Sequence, residues 1–169
     1  AEKALPGIDI FVQATQAGTA DAVLAAAPAI AAHQGDTLVM FADTPLIRPQ
    51  TLQAMVGALQ DGAGIAVLGF EPIDPAGYGR VLEDERGNVT AIREQKDASE
   101  TERRVRLCNA GAMAFRIPDL VGLLRRIDNR NAASEFYLTD AVALANAQGL
   151  RVKCVRGSVE DAMGVNSRV

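Results

Sequence analysis

The chain has 169 residues, and its composition, with 49% apolar and 22% charged residues, excludes a largely disordered chain and predicts a folded domain with a sizeable core. Its net charge of −4, without any block of lysine and arginine, argues against a nucleic-acid-binding surface, since such surfaces need clustered cations. No apolar run is long enough to cross a membrane and no signal peptide is recognisable, so we expect a cytoplasmic protein without membrane contact.

The first part of the chain alternates predicted strands and helices. In chain order these elements are a strand at 7–13, a helix from Thr19 to near His33, a strand at 36–42, a helix from Pro49 to Leu59 and a strand at 64–70. Strands that alternate with helices over short connections are typical of α/β sheets with parallel strands and right-handed crossovers. We therefore predict an α/β fold with a mostly parallel sheet.

The second part of the chain begins at Pro72 with an interruption of this alternation. Two short runs around the turn 84–88 predict a small antiparallel hairpin. The predicted elements are hairpin strands at 80–83 and 89–94, a polar helix at 98–104, a strand at 107–115, helices at 118–127 and 135–147, and a strand at 151–155. Because the alternation starts at an interior strand and a new helix could open at the last residues, we expect residues 1–169 to form one partial domain.

Polar residues that follow predicted strands are candidates for a site, since ligands of open α/β sheets bind at the carboxyl ends of the strands. The first candidate is the loop 13–19, in which a glutamine carboxamide could donate and accept at once to the imide edge of uracil. Gly18 would permit close backbone approach, and the helix that follows would favour an anion. An ordinary turn with a helix cap fits the same pattern.

A second candidate is Asp43, which follows an apolar strand directly and precedes Pro45. It could cap the next helix, pair with Arg48, or bind Mg²⁺, which needs few protein oxygens and keeps water and phosphates as its other ligands. The amide oxygen of Asn166, near the end of the chain, could be a second ligand, although an asparagine before a helix is also a common cap.

Two further clusters have the chemistry of sugar contacts. Glu94 ends a hairpin strand, where a carboxylate can accept hydrogen bonds from neighbouring hydroxyls, and Gly79 offers backbone polar groups. A solvated run of charges is the competing interpretation for Glu94. Asn109 lies inside an apolar strand, so its amide needs a partner, either a ligand or a neighbouring backbone group.

None of these clusters contains an evident nucleophile or general base. His33 is the only histidine, which argues against a histidine-rich metal site or a Ser-His-Asp triad. Cys108 and Cys154 lie far apart in apolar runs and are predicted to be buried free thiols. Phosphoryl and nucleotidyl transfer fit this pattern because they need mainly positioning and charge neutralisation.

Seven short motifs follow one another along the chain. They are Q-A-T-Q-A-G-T-A from Gln13, F-A-D-T-P-L-I from Phe41, D-P-A-G-Y-G-R-V from Asp74, E-Q-K-D-A from Glu94, N-A-G from Asn109, S-E-F-Y-L-T-D from Ser134 and G-V-N-S-R from Gly164. In this order and spacing they resemble the uridylyltransferase (pyrophosphorylase) domain of the bacterial bifunctional enzymes that make UDP-N-acetylglucosamine. The resemblance covers essentially the whole chain.

The resemblance implies a Rossmann-like nucleotide-diphospho-sugar transferase fold. It implies the reaction of UTP with N-acetylglucosamine 1-phosphate to give pyrophosphate and UDP-N-acetylglucosamine, which supplies peptidoglycan and lipopolysaccharide synthesis. Mg²⁺ is the implied cofactor, with Asp43 and Asn166 as its ligands and as the catalytic residues. The implied substrate contacts are Gln13, Gln16, Gly18 and Thr19 for uridine, and Gly79, Glu94, Asn109, Tyr137 and Thr139 for the sugar.

The sequence departs from this family in identifiable ways. It lacks the glycine-rich L-A-A-G-x-G-T-R-M stretch and the P-K that follows, and the left-handed β-helix of the bifunctional enzymes. It has Phe41-Ala42 where the family usually has Tyr-Gly, and Ala17-Gly18-Thr19-Ala20 where it has Leu-Gly-Thr-Gly. We therefore expect this polypeptide by itself to be inactive or very slow, and a homotrimer only in a full-length enzyme.

Two other functions stay open at this stage. One is a different sugar-phosphate nucleotidyltransferase of the same fold, using another base or another sugar. The other is a non-catalytic domain that binds a nucleotide sugar.

Overall fold

A computed structural model describes residues 7–163 of the chain, and the catalytic prediction for Asn166 falls outside them. The helices in this part are α1 Thr19–Ala25, α2 Ala27–Ala32, α3 Pro49–Gln60, α4 Glu100–Arg103, α5 Leu120–Leu124 and α6 Ala141–Ala147, with 3₁₀ helices at Leu138–Asp140 and Glu160–Ala162. The strands are β1 Thr37–Val39, β2 Ile65–Phe70, β3 Arg80–Glu83, β4 Val89–Arg93, β5 Cys108–Phe115 and β6 Val152–Arg156. None of the helices in residues 7–163 has the length and apolar character that a bilayer crossing requires.

The six strands form one mixed sheet in the order β4-β3-β5-β2-β6, with β1 also paired to β5. Strand β5 runs antiparallel to β1, β2 and β3, and the β2–β6 pair is parallel. The α/β class and the hairpin β3–β4 agree with the prediction, but the sheet is not mostly parallel. The reason is that β5 returns through the middle of the sheet after the hairpin, between strands that all point the other way.

The predicted strand at 7–13 is wrong, because this segment has no strand structure. A strand needs a neighbour that completes its hydrogen bonds, and within residues 7–163 no strand pairs with this segment. Its apolar side chains are instead accessible, with Ile8 51% and Val12 83% exposed.

Most other predicted elements are present with shorter bounds. The single helix predicted from Thr19 to His33 is divided at Ala26, because Pro28 has no N–H to continue a helix and occupies the first turn of α2 instead. The helix predicted at 135–147 begins as a 3₁₀ turn at Leu138. Ser99 caps α4 through a reciprocal capping box with Glu102, which fixes the connection between the hairpin and β5.

Apolar side chains cover both faces of the sheet, as the uninterrupted apolar sequence of β2 predicts. One face packs against α5 and α6, and the other packs against α3 through Met55 and Leu59. Cys108 and Cys154 are both free thiols, as predicted, but of the two only Cys108 is fully buried and Cys154 is half-buried. Burial raises the pKa of the Cys154 thiol to about 12, so this thiol stays protonated at neutral pH.

Candidate active site

Most of the predicted site residues surround one cavity of about 380 Å³. Its walls come from the loop after β1, the turn before β3, the end of β4, the first half of β5 and the 3₁₀ helix at 138–140. The predicted residues that line it are Thr19, Asp43, Gly79, Glu94, Asn109, Tyr137 and Thr139. The structure thus brings together residues as far apart in sequence as Thr19 and Thr139, which are separated by 120 positions.

Asp43 lies on the cavity wall within a turn that follows β1. It does not pair with Arg48, which instead contacts Asp161, and it makes no hydrogen bond to residues 7–163. Its carboxylate oxygens are therefore accessible from the cavity, which fits a cation that takes one protein carboxylate and several waters. Within residues 7–163 no three histidine, cysteine or acidic side chains cluster as metal ligands, so a cation at Asp43 would have few protein ligands.

The predicted sugar contacts form a connected group around Glu94. The hydroxyl of Thr139 donates to Glu94 Oε1 at 3.1 Å. Gly79 packs directly against the same carboxylate, since a Cβ atom there would lie 3.1 Å from Glu94 Oε2. The Gly79 carbonyl accepts a hydrogen bond of 2.8 Å from the Asn109 N–H, which joins the turn before β3 to β5.

Glu94 has a perturbed acidity. Burial raises the pKa of its carboxyl above the ordinary value, and the negative charges of Asp140 and Asp97 act in the same direction, whereas the Thr139 hydrogen bond opposes them. The folded protein therefore binds this proton more tightly than the unfolded chain does. The contribution of Glu94 to stability falls as the pH rises from its ordinary pKa through the raised one.

We predict that Glu94→Gln weakens binding of the sugar phosphate that the resemblance implies, N-acetylglucosamine 1-phosphate, by about 10- to 100-fold, the effect of losing a charged hydrogen-bond acceptor. Because glutamine stays neutral, the variant should unfold at neutral pH at a temperature equal to or above that of the parent. Calorimetric titration and thermal unfolding measure the two effects. Glu85→Gln, in the exposed hairpin turn, is the control. Parallel losses of affinity and of stability would contradict the assignment of Glu94 as a sugar contact.

A bulge in β5 shapes the floor of the cavity. The register changes from Val67 opposite Met113 to Gly69 opposite Asn109, and Gly111 within the bulge has φ +92°. The Gly111 N–H donates to Asn109 Oδ1 at 3.1 Å, so a neighbouring backbone group supplies one partner that this half-buried amide needed. The bulge thereby fixes the orientation of Asn109 at the cavity.

We predict that Gly111→Ala destabilises the domain by about 1–3 kcal/mol, the usual cost of holding a side chain in such backbone conformations. A Cβ atom at Gly111 would also lie 2.5 Å from the ring of Phe41, which would have to move from the cavity wall. Denaturant unfolding measures the loss. Gly57→Ala in α3 is the matched control, because no atom lies within 4 Å of its Cβ position and alanine favours a helix. An equal effect of the two substitutions would contradict this account.

The predicted uridine loop lies beside the cavity, and of its four residues Thr19 reaches the lining. The amide nitrogen of Gln13 donates to the Gly18 carbonyl at 3.1 Å and to Asp21 Oδ2 at 2.7 Å, so both of its hydrogens have partners within the protein. In this arrangement Gln13 can accept but not donate to a base. Gly18 packs against the backbone of Phe136, and Gln16 is exposed.

Several features of the cavity were not predicted from the sequence. Phe41 packs against Gly111, and Glu135 adds a third carboxylate to the walls besides Asp43 and Glu94. No lysine or arginine of residues 7–163 lines the cavity. The described walls therefore supply oxygen ligands and amides, but not the cations that would offset a triphosphate.

Comparisons with known proteins found a family model and relatives that match this chain. A family model described as "Nucleotidyl transferase" matches residues 2–154. The chain is 50% identical over 169 residues, all of its length, to the "Bifunctional protein GlmU" of Azorhizobium caulinodans, and 48% identical over 167 residues to that of Xanthobacter autotrophicus. It spans 38% and 37% of the lengths of these two curated relatives.

A solved structure gives the same fold at lower identity. The chain superposes on a UDP-glucose pyrophosphorylase complexed with UDP-glucose with a TM-score of 0.65 at 20% identity. The match covers 89% of this chain and 61% of that one. It shows that the two proteins share the fold of the mixed α/β sheet described above.

Proposed function

Since this chain belongs to the nucleotidyl transferase family, we propose that it carries out the transfer of UMP from UTP to N-acetylglucosamine 1-phosphate, forming UDP-N-acetylglucosamine and pyrophosphate. One observation carries the proposal: the Asp43 carboxylate and the group of Gly79, Glu94, Asn109 and Thr139 line a single cavity. A nucleotide phosphate beside Asp43 and an acetamido sugar beside Glu94 would then be held within reach of each other. The seven motifs and the relatives at 48–50% identity support the same assignment.

The reaction needs no nucleophile from the protein. A phosphate oxygen of the sugar phosphate attacks the α-phosphorus of UTP, the bond from that phosphorus to the bridging oxygen breaks, and pyrophosphate leaves. Glu94, Gly79 and Asn109 bind and orient the sugar, which makes the attack effectively intramolecular. Asp43, with Asn166 as the second predicted ligand, would hold Mg²⁺, which neutralises phosphate charge when bound. The loop 13–19, including Thr19, binds the uridine part of UTP.

Residues 1–169 belong to one partial nucleotidyltransferase domain that works in the cytoplasm on precursors for peptidoglycan and lipopolysaccharide. Neither nucleic acid nor a membrane is a partner. A homotrimer belongs to a full-length enzyme of this type.

The direct test is release of pyrophosphate from UTP and N-acetylglucosamine 1-phosphate with Mg²⁺, followed by a coupled assay. It uses a version of the chain extended at its N-terminus by a phosphate-binding segment, because the unextended chain is expected to be inactive or very slow. Competition with CTP and GTP reports on the base, and glucose 1-phosphate in place of the acetamido sugar reports on the sugar. We expect turnover that depends on Mg²⁺ and prefers uracil and the acetamido group. Nucleotide-sugar binding without turnover, in a version of the chain that carries a phosphate-binding segment, would contradict the proposal and favour a binding domain.

A further inference from the structure

A buried carboxylate outside the predicted site joins two segments that border the cavity. Asp161 is fully buried, and its Oδ1 accepts hydrogen bonds from the backbone N–H of Arg48 at 3.0 Å and from Arg48 Nε at 3.1 Å. Arg48 Nη2 donates to Oδ2 at 2.8 Å. Arg48 therefore contacts both oxygens of Asp161 although the two residues are separated by 113 positions.

The second oxygen of Asp161 has further donors. Oδ2 accepts from the Thr51 hydroxyl at 3.1 Å, from the Ser158 N–H at 3.0 Å and from the Ser158 hydroxyl at 3.3 Å. The hydrogen bonds from Arg48 hold the pKa of Asp161 well below its usual range, so the group is a carboxylate at any physiological pH. Its charge also lies at the N-terminus of the 12-residue helix α3, where a negative charge is favourable.

These contacts fix the geometry of two cavity walls. The loop that carries Asp43 and Thr44 ends at Arg48, where Asp161 holds both the backbone and the side chain. Next to Asp161 is Ala162, which lines the same cavity. In the sequence, Asn166 follows four positions after Ala162, outside the described residues.

Stability alone does not account well for such an arrangement. Asp161 is fully buried and loses its hydration, whereas the Arg48 side chain is 59% exposed, and ion pairs with an exposed partner contribute little to stability. The multiple directed hydrogen bonds instead define one relative position of the groups they join. We propose that Asp161 is a positioning residue for nucleotidyl transfer, which sets the Asp43 loop against the segment 158–162. This inference rests on the proposed function.

The test compares Asp161→Asn with a control substitution, Asp36→Asn, in an ion pair that is remote from the cavity. Asp36 makes two hydrogen bonds of 2.7 Å with Arg116, so Asp36→Asn breaks a similar ion pair that does not border the cavity. Both variants should lower the unfolding temperature. The amide of Asp161→Asn would meet the donors of Arg48, Thr51 and Ser158, which should displace the Asp43 loop. In the N-terminally extended chain this variant should in addition raise the Mg²⁺ concentration for half-maximal rate by about 10-fold, the lower end of the effect of losing groups that orient metal ligands.

A second measurement does not depend on activity. Hydrogen exchange followed by mass spectrometry should show faster exchange of the amides at 41–48 in Asp161→Asn and no change there in Asp36→Asn. Arg48→Gln keeps the backbone N–H donor and serves as a milder variant, expected to lie between the parent and Asp161→Asn, if the latter does not fold.

The outcomes separate this inference from the proposed function. If Asp161→Asn loses stability but keeps the parent's Mg²⁺ dependence and exchange at 41–48, Asp161 is a structural residue and the inference is wrong. If Asp43→Ala leaves the Mg²⁺ dependence unchanged, the proposed role of Asp43 fails instead, and the exchange data still decide whether Asp161 positions the loop.

Discussion

Replacing Asp43 with alanine is expected to lower the rate of UDP-N-acetylglucosamine formation by about 10²- to 10³-fold at saturating substrates, the usual effect of removing one electrostatic group that acts in the transition state. The physical reason is that Asp43 is the acidic residue after β1 on the cavity wall, and its carboxylate makes no hydrogen bond to residues 7–163 that would give it a structural task. The rate is measured by the pyrophosphate assay over a range of Mg²⁺ concentrations, on versions of the parent and the variant that carry the N-terminal phosphate-binding segment.

Two observations would separate this effect from misfolding. Asp43 is exposed, so Asp43→Ala should unfold at the same temperature as the parent. Asp43→Asn keeps the size of the side chain and one ligand oxygen but removes the charge, so it should fall between the parent and the alanine variant at high Mg²⁺. An unchanged rate in Asp43→Ala would contradict the assignment of this residue to the reaction.

The second large effect is expected from supplying cations to the cavity. Because no lysine or arginine of residues 7–163 lines it, we predict that joining a glycine-rich L-A-A-G-x-G-T-R-M segment with a following P-K to the N-terminus raises the rate by about 10²-fold or more. Backbone amides, an arginine and a lysine would then bind the triphosphate and the charge that develops on pyrophosphate. The pyrophosphate assay on the two versions measures the change.

A matched control distinguishes charge from folding. The same extension with its arginine and lysine replaced by alanine should stabilise the domain as well as the complete extension does, but should not raise the rate. Equal activity of the extended and unextended chains would contradict the claim that these cations are needed.

Short-range patterns in the sequence were sufficient to predict most of the local structure. The apolar run of β2 and the turn 84–88 of the hairpin depend on neighbouring residues, and the structure has both of them. The structure places Gly79, Glu94 and Asn109, which the sequence offered as sugar contacts, around one cavity. Their roles in binding remain predictions.

Features that depend on distant partners were not predicted. Whether neighbouring strands run parallel or antiparallel depends on where β5 inserts into the sheet, and no local sequence pattern encodes that position. The apolar alternation at 7–13 is that of a strand, yet a strand forms only beside a neighbour. Arg48 was considered as a partner of Asp43 because the two are close in sequence, whereas its partner is Asp161, 113 positions away.

The central claim, that a divalent cation at Asp43 and an acetamido sugar at Glu94 occupy one cavity, is tested most directly by anomalous X-ray scattering from crystals grown with Mn²⁺ and UDP-N-acetylglucosamine. The account predicts an anomalous peak within coordination distance of the Asp43 carboxylate, with the sugar against Gly79, Glu94 and Asn109. A peak bound elsewhere, or a sugar outside this cavity, would contradict it.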